Sequence, residues 1–232
     1  LITLMALRQT QQEVSMLFDG KTALITGASR GIGRAIAHAL VRQGMQRILL
    51  VARNAQRLEA VAAEVRQLGA EAIVLPVDLA DPIQANVVIA RAWQHHGPVH
   101  LLVNCAGVAY QTPFLQAKLP QVQAEISTNL IGLYTVTRLV ARPMAARREG
   151  CIVNVSSLMG KVAAPTMATY SATKFAIVGF TQALRSELAP HRSKSPRRWC
   201  GGCGGGRLKF WWVGRAMRRC GLSGWHPGWS SP

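Results

Sequence analysis

Acidic residues are scarce: ten Asp and Glu stand against 27 Lys and Arg in 232 residues, a formal net charge of +17. The shortage is concentrated. Residues 191–232 hold nine Lys and Arg and no acid, whereas residues 1–190 hold 18 against all ten acids. The total suggests a nucleic-acid binder, but its distribution assigns the excess largely to the tail. The tail also holds five of the six Trp, three of the five Cys and nine of the 21 Gly, so two compositions meet near residue 190. A run of roughly 18 apolar residues is missing, which excludes a membrane-spanning helix and gives no reason to expect a membrane partner. The apolar opening from Leu1 to Leu7 lacks a preceding basic residue and a following small-residue cleavage pattern, and does not read as a secretory signal. Five cysteines is an odd count, and Cys105 and Cys151 stand alone inside apolar runs. Buried thiols in a reducing compartment fit that better than a disulfide framework. A cytoplasmic protein is expected.

From Lys21 onward, short apolar runs alternate with amphipathic segments. Residues 22–26, 47–51, 73–77, 99–103 and 151–155 are rich in Val, Ile and Leu, the pattern of parallel strands covered on both faces. Between them, Ile32, Ile36 and Leu40 recur every four residues, and Gly44 marks a stop. Asn54 is placed to cap a helix with the stripe Leu58, Val61, Val65 and Leu68, ended by Gly69. Asp81-Pro82 reads as a cap with a first-turn proline. A longer stripe opens at Pro120, passes through Val122, Ile126, Leu130, Leu133 and Val140, and is expected to end before Pro143. Phe180, Leu184 and Leu188 share one face of a last helix that stops at Pro190. This alternation predicts an α/β fold, a doubly wound parallel sheet with right-handed crossovers. It occupies residues 19–190, between an N-terminal extension over 1–18 and the basic Gly/Arg/Trp-rich tail over 191–232.

Chemistry gathers where such a sheet binds ligands. The turn after the first strand reads Thr26-Gly27-Ala28-Ser29-Arg30-Gly31-Ile32-Gly33. Its glycines permit a tight turn and close approach to a pyrophosphate, and the helix that follows offers free N–H groups and partial positive charge. An ordinary glycine-rich turn explains the motif equally well in isolation; its place after strand one of an alternating fold points to a dinucleotide. The second strand ends in Ala52-Arg53-Asn54, where an acid would hold the ribose 2′-hydroxyl of NAD. Arg53 and Arg30 without a carboxylate suit a 2′-phosphate, so NADP(H) is preferred over NAD(H); solvated surface arginines are the plain alternative. Tyr170 and Lys174, four apart, share a helical face, where a cation favours an ionised phenol. Pairs at this spacing are more often simple surface neighbours. Ser156-Ser157 supplies hydroxyls just past the fifth strand. Asn129 lies mid-helix, a poor place for an amide without a task.

Together these residues resemble the classical short-chain dehydrogenase/reductase family. The resemblance rests on the glycine turn, Asp78-Leu79 after the third strand, Asn104-Cys105-Ala106-Gly107 after the fourth, Asn129, Ser157 and the Tyr170/Lys174 pair. These six motifs stand in the family's order between about Lys21 and Pro190. The resemblance implies hydride transfer between a nicotinamide cofactor and a small-molecule ketone or secondary alcohol. Tyr170 would be the acid in reduction and the base in oxidation. Lys174 would bind the nicotinamide ribose and assist the tyrosine, and Ser157 would hydrogen-bond the substrate oxygen as charge develops on it. Asn129 would help hold a water linking Lys174 to solvent. Asp78, with Leu79 beside it, would contact the adenine, and Asn104, Ala106 and Gly107 would line the cofactor's far side. Gly27, Ser29, Arg30, Gly31, Ile32, Gly33, Arg53 and Asn54 would hold the adenosine and phosphates. A homo-oligomer paired through the helices carrying Asn129 and Tyr170 is implied as well.

Other features carry less. Trp199-Cys200-Gly201-Gly202-Cys203 looks like a redox motif, but no strand pattern precedes it. Only Cys220 and His226 remain as further ligands in the tail, so no metal is expected. Beyond His191 the family implies a sixth strand, a Pro-Gly turn, a substrate-covering segment and a seventh strand. Residues 193–199 show no alternation and the remainder has no apolar period, so these strands are expected to be missing or disordered. GC-rich DNA read out of frame produces such a mixture, and a shifted frame from residue 192 is expected, open to test by resequencing. Two function classes compete: an NADP(H)-dependent dehydrogenase/reductase, and a catalytically impaired remnant that keeps nucleotide binding but lacks the substrate lobe. Nucleic-acid binding by the tail is a weaker third, distinguished by a salt-dependent gel shift that vanishes without residues 191–232.

Overall fold

The computed structural model describes residues 18–191 and 208–212. Its strands are β1 (Thr22–Thr26), β2 (Arg47–Ala52), β3 (Glu71–Pro76), β4 (Leu101–Asn104), β5 (Gly150–Asn154) and β6 (Leu208–Trp212). The helices are α1 (Gly31–Arg42), α2 (Ala55–Gln67), α3 (Pro82–His96), α4 (Leu119–Ile126), α5 (Leu133–Arg147) and α6 (Ala168–Glu187). A π-helical turn, Ser127–Gly132, joins α4 to α5. One parallel sheet orders the strands β3-β2-β1-β4-β5-β6. The chain winds outward from β1 to β3, crosses back, and continues from β4 on the other side of β1. The carboxyl ends of β1 and β4 therefore open a crevice at the point where the winding reverses. Register places Thr26 opposite Val51 and Asn104, and Asn104 opposite Asn154.

The doubly wound fold is the one the alternation predicts, and its reason lies in β1. All five residues of that strand are buried, because successive side chains point to opposite faces and both faces are covered. Ala23 and Ile25 pack with Leu40 of α1 and with Leu58, Val61 and Val65 of α2. Leu24 packs on the other face with Ile89 of α3 and with Val136, Val140 and Met144 of α5. Burying each such Leu or Ile stabilises the fold by about 1.5–3 kcal/mol. Local signals hold too. The Asn54 side chain accepts the Arg57 N–H at 2.8 Å, and Asp81 accepts from Ile83 and Gln84 at 3.0 Å ahead of Pro82. Among the described residues, no helix is long and apolar enough to cross a membrane.

Two expectations need correction. The long stripe from Pro120 is not one helix ending before Pro143: the π-helical turn interrupts it, and α5 continues through Pro143 to Arg147. An interior proline costs about 3 kcal/mol, but Val140, Ala141 and Met144 around it are buried against the sheet and hold the helix together. In α6 the buried residues are Ser171, Thr173, Lys174, Ile177 and Thr181, while Phe180, Leu184 and the C-cap Leu188 share a half-buried face beside them. Polar partners on the neighbouring elements decide the buried side: Asn154 of β5 donates to Thr181 Oγ1 at 2.9 Å. Finally, a sixth strand exists. β6 pairs in parallel with the whole of β5, Gly150 opposite Leu208 and Asn154 opposite Trp212. The run Leu-Lys-Phe-Trp-Trp is rich in strand-forming aromatics, and it satisfies the polar edge that β5 would otherwise leave open. The proposed shift of frame, the tail cysteines and the expected loss of a seventh strand fall on residues 192–207 and 213–232, outside the described residues, as does the extension over 1–17.

At the amino end of the sheet, His100 bridges β1 and β4. Its Nδ1 accepts the Thr22 N–H at 3.1 Å while its own N–H donates to the Thr22 carbonyl at 2.8 Å. Burial, and secondarily the Lys21 charge, hold its pKa at about 4, below the ordinary 6.5. The unfolded chain therefore takes up a proton at higher pH than the folded one. Stability is expected to fall as pH drops from about 6.5 toward 4, and His100→Gln should flatten that part of the profile, read as Tm at a series of pH values.

Candidate active site

The crevice at the switch point is a cleft of about 800 Å³. Its first wall is the glycine turn. Gly27 has φ +69°, and a Cβ there would stand 2.8 Å from the N and Cα of Ala106. At Gly33 a Cβ would stand 2.7 Å from the Gly27 carbonyl carbon, so α1 can rest on the turn only because that side chain is absent. Thr26 Oγ1 accepts the N–H groups of Cys105 and Ala106 at 3.0 and 3.1 Å, which ties the end of β1 to the loop leaving β4. Backbone closeness is thus built into both sides of the cleft mouth.

Of the sequence-predicted residues, Gly27, Ser29, Arg30, Gly31, Ile32 and Gly33 line this cleft from the turn, and Arg53 and Asn54 from the end of β2. Asp78 and Leu79 line it after β3, Ala106 and Gly107 after β4, and Tyr170 and Lys174 from α6. Asp78 is also the turn former that its plain reading expects, since its Oδ1 accepts the Ala80 N–H at 3.0 Å. Leu79 is buried against Gly132 of the π-helical turn, where a Cβ would meet the Leu79 carbonyl oxygen at 2.6 Å. Arg57 joins the same lining and was missed by the sequence reading. The available signal was a basic residue three positions past the Asn54 cap, in a first turn that holds no acid.

Lys174 is 4% exposed; its Nζ donates to the Val155 carbonyl at 3.1 Å and lies 5.5 Å from the centroid of the Tyr170 ring. Burial pushes its pKa below the usual lysine value, opposed by the neighbouring Cys105. Burial pushes the Cys105 thiol the other way, to about 11, with Lys174 opposing, so Cys105 is a neutral part of the wall. The four-residue spacing has therefore placed ammonium and phenol side by side, as one helical face requires.

Three predicted residues sit outside the lining. Asn104 differs from expectation: its side chain turns into the sheet, donating to Thr137 Oγ1 and Asn154 Oδ1 at 2.8 Å, and lies buried beneath the cleft. A strand register that sets Asn104 beside Asn154 makes that exchange the nearest one available. Asn129 is fully buried behind the wall, with Oδ1 accepting the Val108 N–H and Nδ2 donating to the Val108 carbonyl, each at 2.8 Å. Its Nδ2 also donates to Thr173 Oγ1 at 3.2 Å. Ser157 caps a short 3₁₀ turn, Leu158–Gly160, by accepting the Met159 N–H at 3.2 Å. Its neighbour Ser156 lines the cleft and donates to the Lys174 carbonyl at 3.0 Å.

The model of the short chain dehydrogenase family matches residues 21–194. The chain belongs to that family. The 3-oxoacyl-[acyl-carrier-protein] reductase of Synechocystis sp. is 37% identical over 169 residues, covering 73% of this chain and 68% of the relative. Among solved structures, a metagenomic short-chain oxidoreductase in complex with NADP shares 31% identity at a TM-score of 0.75, covering 84% of this chain and 82% of its own. A gluconate 5-dehydrogenase from Burkholderia cenocepacia in complex with NADP and tartrate shares 32% identity at 0.72, over 78% of this chain and 70% of that one. Membership assigns the protein to the oxidoreductases that use a nicotinamide cofactor.

Proposed function

We propose that this chain is an NADP(H)-preferring reductase of a ketone, or dehydrogenase of a secondary alcohol, with Tyr170 as its acid and base. The reading is carried by one observation: a single cleft joins Arg30, Arg53 and Arg57 to the Tyr170/Lys174 pair. A dinucleotide fits it, because Gly27 and Gly33 let backbone pack against backbone around the turn, which sets the exposed N-terminus of α1 at the cleft with no side chain between. When bound, the reduced nicotinamide supplies a hydride. The protein's own residues handle the proton. Tyr170 Oη gives its proton to the substrate oxygen as the carbonyl becomes an alcohol, while Ser157 Oγ hydrogen-bonds the same oxygen. The Lys174 ammonium stands beside the Tyr170 ring, 5.5 Å from its centroid. Asn129 has committed its side chain to Val108 and Thr173. Its part in a water path therefore falls to its backbone carbonyl in the π-helical turn. Asp78 and Leu79 take the adenine side, and Ala106 and Gly107 the opposite wall.

The cofactor preference rests on charge. Arg30 in the glycine turn, Arg53 at the end of β2 and Arg57 in the first turn of α2 are exposed, with no acid in those segments. Replacing Arg53 with Ala is expected to weaken NADPH about tenfold and leave NADH unchanged, if a charge-assisted contact is worth about 1.5–3 kcal/mol. Equal affinities for both cofactors in the parent would reduce these arginines to solvated surface groups. Turnover is tested by NADPH consumption with ethyl acetoacetate, 5-ketogluconate and cyclohexanone, beside an NADPH-binding titration. Binding without turnover on any of them would favour the second reading, an impaired remnant. One observation supports that alternative: the family match ends at residue 194, where the composition changes. A homo-oligomer is proposed through α5 and α6, where Tyr134 and Phe175 are 52% and 45% exposed. A reducing, cytoplasmic setting accords with the free thiols of Cys105 and Cys151.

A further inference from the structure

The proposed reduction leaves one buried carboxylate without a role. Glu125, in α4, is 2% exposed, and its Oε1 accepts the Tyr110 N–H at 2.6 Å. Four residues on, Asn129 grips both backbone polar groups of Val108. Two residues past Tyr110, the Thr112 N–H donates to the Thr166 carbonyl at 2.9 Å, in the loop that leads into α6 and Tyr170. The N–H groups of residues 108, 110 and 112 are thus tied down in alternation, the spacing of an extended chain. One helical edge holds the first two ties and the loop before Tyr170 holds the third. Val108 and Ala109 line the cleft together with Tyr170 and Lys174. Gly107, just before them, is so placed that a Cβ would stand 3.6 Å from Lys174 Nζ.

Burying a carboxylate is costly, and an apolar residue of similar volume would fill the same space with less penalty. What the carboxylate adds is a directed acceptor for one backbone N–H. We propose that Glu125 is a positioning residue: by holding the Tyr110 N–H it fixes the wall of residues 108–112 that flanks the Tyr170/Lys174 pair. A wall displaced by about 1 Å would misplace the reacting groups without emptying the cofactor site.

The inference rests on the reductase reading, and its test separates the two. Glu125→Leu removes the acceptor, Glu125→Gln keeps it through Oε1, and Glu125→Asp keeps the charge on a shorter arm. In the full chain, with the fastest of the three named ketones, Glu125→Leu should lower kcat about tenfold or more with KM for NADPH within about twofold. Glu125→Gln should restore kcat to within about threefold, because the hydrogen bond and not the charge sets the wall. Hydrogen exchange of the peptide spanning residues 107–113, measured without substrate, should quicken about tenfold in Glu125→Leu and stay near the parent in Glu125→Gln. If Glu125→Leu does not fold, Glu125→Asp replaces it and should show smaller losses in the same direction. Unchanged kcat despite faster exchange overturns the proposal, as does an equal loss in the Gln and Leu variants. A parent that reduces none of the ketones defeats the reductase reading; the exchange comparison alone then supports or overturns the hold on Tyr110.

Discussion

Tyr170→Phe is expected to lower carbonyl reduction about a thousandfold while leaving NADPH affinity within a few-fold of the parent. General acid catalysis by a positioned side chain contributes about 10²–10⁴ in rate, and a thousandfold corresponds to about 4 kcal/mol of barrier. The substitution deletes one hydroxyl and keeps a half-buried ring beside Lys174, whose Nζ lies 5.5 Å from the ring centroid. Binding and chemistry should therefore separate cleanly in this variant. Single-turnover rates and an NADPH titration on the same preparation give both quantities. Full turnover in the phenylalanine variant would remove Tyr170 from the mechanism.

Gly33→Val should abolish cofactor binding and lower Tm together. Even the first carbon of a side chain there would stand 2.7 Å from the Gly27 carbonyl carbon and 3.0 Å from the Ala28 Cα, both backbone neighbours that cannot rotate aside. Relief requires α1 to lift from the turn, which withdraws its N-terminal N–H groups from the phosphate position. Overpacking of this kind costs about 1–3 kcal/mol in stability, and loss of the helix N-terminus should weaken NADPH at least about a hundredfold. Gly179→Ala is the matched control. It lies inside α6 with nothing within 4 Å of an added Cβ. That change should leave binding intact and raise stability by about 0.5–1 kcal/mol. A Gly33 variant that binds NADPH as the parent does would show that the contact between turn and helix is not needed.

The candidate site was unevenly legible. Gly27, Gly33, Tyr170 and Lys174 stand out because the tasks proposed for them depend on close spacing along the chain: a glycine turn between a strand and a helix, or two side chains one helical turn apart. Asn104 was legible in its position alone. Its place at the end of β4 is local information, but its side chain meets Asn154 through the strand register and Thr137 through the packing of α5, each at 2.8 Å. Glu125 carried no signal at all, since a lone Glu among Gln and Ala residues normally marks a solvated face. Only the approach of the Tyr110 N–H gives it a partner. Arg57 was hidden differently: an exposed arginine is ordinary, and it gains meaning only from sharing a cleft with Arg30 and Arg53.

By itself the sequence determined the strands β1 to β5, the Asn54 and Asp81 caps and the glycine turn. Each is set by neighbours a few residues away, through apolar period, capping oxygens and the absence of a side chain. The tertiary structure decided what depends on a distant partner. α5 runs through Pro143 because burial of Val140 and Met144 against the sheet outweighs a local defect. The buried side of α6 carries Ser171, Lys174 and Thr181, with Phe180 and Leu184 half-buried beside it, because polar groups of β5 and the loop beyond it face that side. β6 forms from a short aromatic run in a glycine- and arginine-rich tail because the open edge of β5 offers it a ladder. A hydrogen bond between residues far apart in the chain, as between Asn104 and Asn154, or an edge waiting for a strand, leaves no period in the chain that supplies it.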